Sequence, residues 1–76
     1  MATITFEKLS EETRRGLAAS ISDRPALILL AHDPAWRVRF EVSLNPETPD
    51  GALLDLQKDS HPLVSLAATT TLDFRP

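Results

Sequence analysis

Apolar residues come in short runs, and a proline stands ahead of each of the later ones. Pro25, Pro34, Pro49 and Pro62 each follow a side chain able to cap a helix and precede an apolar stretch. Proline suits a first helical turn, where its missing N–H would have no partner anyway. The predicted caps are Ser22 or Asp23, Asp33, Thr48, and Asp59 or Ser60, whose oxygens accept free amide hydrogens. Ser10 before Glu11 and Glu12 marks a further start, with acids at the positive end of the helix dipole. The pattern therefore predicts five short helices over 10–21, 24–32, 34–45, 49–58 and 61–71. Links this short make successive helices pack closely and nearly antiparallel.

From Arg37 to Leu44 the apolar residues alternate, as in a half-buried strand. Trp36, Phe40 and Leu44 also stand at i, i+4, i+8, and Ala35, Val38 and Val42 complete one helical stripe. The Asp33-Pro34 start decides for helix. Near the termini Ile4 and Phe6, and Leu72 and Phe74, alternate too. They predict extended tails lying over the open ends of the core.

The chain partly matches itself at a shift of 26 residues. Ala26 meets Ala52, Leu27 meets Leu53, Ile28 meets Leu54, Leu30 meets Leu56, Asp33 meets Asp59, Val38 meets Val64 and Phe40 meets Leu66. Apolar positions and one capping aspartate are what two copies of a helix–turn–helix unit retain to build a shared core. The stretch from Leu30-Ala31-His32-Asp33 through Val38-Arg39 to Leu44-Asn45-Pro46-Glu47-Thr48-Pro49, then Leu53-Leu54 and Asp59, resembles the leucine-rich-variant repeat, a short relative of HEAT and armadillo repeats. The Asn-Pro-Glu-Thr-Pro string before a leucine-rich helix carries the likeness most specifically. It spans about residues 22–71. It implies an all-α, HEAT-like right-handed stack used for protein contacts. Some members of that family carry an iron–sulfur segment, for which this chain has no ligands.

The sequence has 76 residues, which bounds it to a single helical domain over 1–76. It has no cysteine, so disulfides, thiol chemistry and cysteine metal sites are excluded, and a cytoplasmic home is favoured over secretion. No apolar run approaches a membrane span, and the N-terminus lacks the pattern of a signal peptide. The net charge of −3 is uneven. Residues 1–39 hold six basic and five acidic side chains, whereas 40–76 hold two basic and six acidic.

Catalytic, cofactor and metal sites are not expected. Two histidines, His32 and His61, do not make the three or four ligands of a metal centre. His32 is expected at a helix end, where a cation suits the dipole. No serine sits in a nucleophile turn, and the two glycines form no phosphate loop. Arg14, Arg15, Arg37 and Arg39 make a possible basic strip, but nearby acids oppose direct nucleic-acid binding. Trp36 is expected in the core, and would be a binding hot spot if exposed.

The acidic group Glu41, Glu47, Asp50, Asp55 and Asp59 is the candidate partner-binding set. One reading makes it a solvated face that keeps the chain soluble. The leading reading makes it a surface that imitates phosphates and occupies a basic, nucleic-acid-binding surface of a larger protein. In size and charge the chain is similar to small inhibitors from phages and mobile elements, including anti-CRISPR proteins that act by DNA mimicry. The alternatives are a HEAT-like adaptor or oligomer using apolar contacts, and a nucleic-acid binder using the arginines. A monomer and a homodimer are both compatible with the pattern.

Overall fold

A computed structural model describes residues 6–76. A 3-10 turn at Phe6–Lys8 leads into α1 (Glu11–Ser20), α2 (Arg24–Leu30), α3 (Trp36–Leu44), α4 (Asp50–Leu56) and α5 (Pro62–Asp73). The protein is all-helical, and no strand occurs among the described residues. The alternating stretch at Arg37–Leu44 is helical, and it buries Val38 and Val42 completely.

Two helix starts follow the expected chemistry. Ser10 Oγ accepts the Thr13 N–H at 3.1 Å, and an Asp23 carboxylate oxygen accepts the Ala26 N–H at 3.0 Å. The other three differ. Asp33 binds the Ala35 N–H, and α3 begins only at Trp36. Thr48 does not cap α4; its hydroxyl donates back to the Val42 carbonyl at 2.7 Å, and Pro49 occupies the cap position. At α5 the cap is His61, whose Nδ1 accepts the Leu63 N–H, while Asp59 accepts the His61 N–H. Asp33 and Asp59 thus meet the N–H two residues on, and Thr48 turns back to α3.

The odd-numbered helices form a row with α3 in the middle. Trp36 and His61 stack with ring centroids 3.9 Å apart, joining the starts of α3 and α5. Thr71 Oγ1 donates to the Ser43 carbonyl at 2.7 Å, joining their ends. These two helices thus run parallel. Asn45 Nδ2 donates to the Ala18 and Ile21 carbonyls, likewise tying the end of α3 to the end of α1. The short α2 and α4 return the chain between them.

The core draws on every helix: Ala18, Leu27, Leu30, Val38, Val42, Leu53, Leu56, Val64 and Ala68. Several positions 26 residues apart are alike in burial. Leu27 and Leu53 are wholly buried, whereas Ile28 and Leu54 are 45% and 53% exposed. The aromatic stripe of α3 splits: Trp36 and Phe40 pack against the core, but Leu44 is exposed.

The extended tails require correction. Phe6 belongs to the 3-10 turn and packs on the core, and Ile4 lies outside the described residues. Leu72 is in the last turn of α5, and Phe74 caps that helix in α-helical geometry. Thr69, Thr70 and Thr71 do not stop α5, because Thr69 and Thr70 return their hydroxyls to carbonyls one turn back and Thr71 reaches α3.

Candidate interaction groove

Two arginine–aspartate pairs organise one side of the molecule. Arg14 Nε lies 2.7 Å from Asp33 Oδ2, and Arg39 Nε lies 2.8 Å from Asp59 Oδ1. A second nitrogen of each guanidinium reaches the other carboxylate oxygen, at 3.3 and 3.2 Å. The remaining nitrogen binds backbone: Leu9 carbonyl for Arg14, Asp33 and Pro34 carbonyls for Arg39. Each aspartate also accepts the N–H two residues on. Such forked, charge-assisted bonds fix both position and angle. They pin the α2–α3 turn to α1 and the α4–α5 turn to α3. Burial pushes the Asp59 carboxyl up, but the Arg39 hydrogen bond, the His61 N–H and the nearby positive charge outweigh it, so its pKa is lowered.

Beside the Arg39–Asp59 pair, α2 and α4 enclose a groove of about 660 Å³. Its apolar lining includes Ile28, Ala31, Ala52 and Leu56. Around these stand Asp33, Asp55 and Asp59 with Arg39, three carboxylates against one guanidinium. A second groove of about 450 Å³ follows, lined by Phe6, Glu7, Arg14, Leu29, His32, Asp33 and Pro34. The two share the wall His32-Asp33-Pro34. They also correspond in part at the shift of 26 residues. Phe6, Glu7, Leu29 and Asp33 of the second stand 26 residues before His32, Asp33, Asp55 and Asp59 of the first.

The five acids singled out in the sequence fall in different settings. Asp55 is exposed and lines the first groove; Asp59 lines it too, engaged by Arg39. Asp50, the first residue of α4, pairs with Arg75 at 2.6 Å. Glu47 is exposed in the turn before α4, and Glu41 is half-buried on α3; neither lines either groove. Asp50 and Asp59 thus carry arginine partners, while Glu41, Glu47 and Asp55 have none among the described residues.

The arginine strip is broken up as well. Arg14 and Arg39 are held in ion pairs, and Arg37 lies over the Trp36 ring, 4.7 Å from its centre. Trp36 is half-buried, with Phe40 edge-on at 6.3 Å. His32 is exposed in the turn after α2. Among the described residues no group of three His, Asp or Glu is placed to hold a metal ion, and no helix is long and apolar enough to cross a membrane.

Sequence reasoning missed the apolar lining and the place of Gly51 in it. Gly51 lines the groove, and a Cβ built on it meets nothing within 4 Å. The chain matches no protein family, no characterised protein and no solved structure.

Proposed function

We propose that the protein is a non-catalytic interaction module, and that the groove between α2 and α4 receives a basic side chain from the surface of a larger partner protein. The observation that carries this reading is the groove itself. It joins an apolar lining to the unpaired carboxylate of Asp55. An arginine or lysine fits such a site, because its methylene stem covers apolar surface while its charged end meets an acid. The groove volume of about 660 Å³ lies in the range of ligand pockets and leaves room for a side chain together with neighbouring groups of the partner.

This reading narrows the phosphate-mimic idea. Asp59 and Asp50 are occupied by arginines, which leaves a smaller negative surface than five free carboxylates. The partner's basic surface is engaged at one principal point. Inhibition of a nucleic-acid-binding protein remains one consequence of such docking. The engagement of Arg14 and Arg39 in ion pairs disfavours direct nucleic-acid binding.

The test is an NMR titration of the labelled protein with a short arginine-bearing peptide. Shifts concentrated on Ile28, Ala52, Asp55 and Leu56, weakening several-fold between about 50 and 300 mM salt, support the reading. Two variants sharpen it. Asp55→Asn removes the charge, and Gly51→Leu adds bulk to the groove lining at a position where the new Cβ meets no protein atom within 4 Å. Both are expected to abolish the localised shifts. Shifts that scatter over the surface, or survive in Gly51→Leu, overturn it.

A further inference from the structure

From Pro62 to Leu72 the chain carries no Asp, Glu, Lys or Arg, although α5 lies on the surface at the end of the helix row. Leu63, Leu66 and Phe74 are 48%, 63% and 85% exposed. With Thr70 they stand at i, i+3, i+7 and i+11, the spacing of a single stripe on one helix face. The internal repeat explains part of this exposure. Leu66 stands 26 residues after Phe40, which packs against the core beside Trp36, and Trp36 in turn stacks on His61 of the next helix in the row. The same side of α5 has no further helix against it among the described residues. An uncharged stripe of this kind on a surface otherwise rich in charge marks a contact site.

We infer that this stripe is a self-association surface, on which α5 pairs antiparallel with α5 of a second copy. Charge selects that occupant. Head-to-tail stacking would lay the stripe against α1, whose exposed residues include Glu11, Glu12 and Arg15. Desolvating those charges against leucine is unfavourable. A symmetric pair sets leucine and threonine against their own kind. The antiparallel arrangement also places Leu63 opposite the partner's Phe74 and separates the two Asp73 carboxylates, which a parallel pair would bring together. The contact is isologous and closes at two copies. The stripe is one helix of 12 residues, about 18 Å long. Even with a phenylalanine of about 200 Å² it falls short of the roughly 1,200 Å² of a standard interface, so the dimer is weak and reversible. The groove between α2 and α4 stays open in it, because none of the stripe residues lines that groove.

Sedimentation velocity between about 10 µM and about 1 mM tests this. The weight-average mass is expected to rise from 8.4 kDa toward twice that value, with no larger species and no weakening as salt increases. Leu66→Asp is expected to hold the mass at 8.4 kDa across the range with an unchanged helical circular dichroism signal. Because the chain has no cysteine, Thr70→Cys gives a second measurement that does not depend on a destabilising change. Mild oxidation is expected to yield a disulfide-linked dimer at high yield, and Arg15→Cys on α1 is not. A mass of 8.4 kDa up to millimolar concentration, species beyond a dimer, or equal cross-linking of the two cysteine variants overturns the inference.

Discussion

Arg39 grips Asp59 through a forked pair at 2.8 and 3.2 Å and uses its third nitrogen on the carbonyl of Asp33, the residue that Arg14 grips in the same way. The two pairs are thereby linked in series: one end of each turn anchors the next. A guanidinium with three separate hydrogen-bond tasks is not replaced by a lysine or by water. Arg39→Ala leaves a carboxylate that is 10% exposed with only the His61 N–H for company. The expected loss is about 2 kcal/mol, read from the urea unfolding midpoint. A loss below about 0.5 kcal/mol would place the pair among ordinary surface ion pairs.

The same pair sets an acid limit on stability. The Asp59 carboxyl titrates below its ordinary value of 3.8 in the folded chain, since the Arg39 bond, the His61 N–H and the local positive charge outweigh the opposing effect of burial. A depressed carboxyl stabilises the folded state in full above the unfolded value, and that contribution fades as pH falls through the lower folded value. This contribution to the melting temperature is therefore expected to fade as pH falls below about 4. In Asp59→Asn that dependence disappears while the melting temperature at pH 7 is already lower. An identical acid limb in the variant would remove Asp59 from the account.

Gly16 lies in the middle of α1 without a positive φ, and an added Cβ meets nothing within 4 Å. Glycine there costs helix stability and serves no turn. Gly16→Ala is expected to stabilise the protein by about 0.5–1 kcal/mol. In a domain of this size that is a rise of about 4 °C in melting temperature by calorimetry. A fall would mean that α1 needs the gap for a contact outside residues 6–76.

Five helices were legible because each start combines a proline or serine with a capping side chain, and because Leu27 and Leu53 repeat one position in two units. The ion pairs were not. Asp33 and Asp59 are 26 residues apart, but Arg14 and Arg39 are 25 apart, so the shift that aligns the acids misaligns their partners. The acids from Glu41 to Asp59 read as one group because no basic residue stands among them before Lys58, although Asp59 belongs to Arg39 across 20 residues of chain. Thr48 likewise reads as a cap, but its bond to the Val42 carbonyl depends on how the Asn45–Pro49 turn folds back. The groove required the relative placement of α2 and α4, which no local pattern contains.

The internal repeat offers the sharpest control on the binding reading. Leu29 and Asp55 occupy corresponding places in the second and first grooves, one apolar and one acidic, beside corresponding Arg–Asp pairs. If an acid at that place is what recognises a basic side chain, recognition should follow the acid when it is moved. Asp55→Leu is expected to lose at least tenfold in affinity for an arginine-bearing peptide, and Leu29→Asp to gain a second cluster of shifted resonances around Phe6, Leu29 and His32. Both positions are exposed, so neither change disturbs the core. The double exchange should carry the titration response from the first groove to the second at nearly constant net charge. If the response instead stays at α4 in the exchanged protein, the recognition element is the shape of the first groove and not its carboxylate.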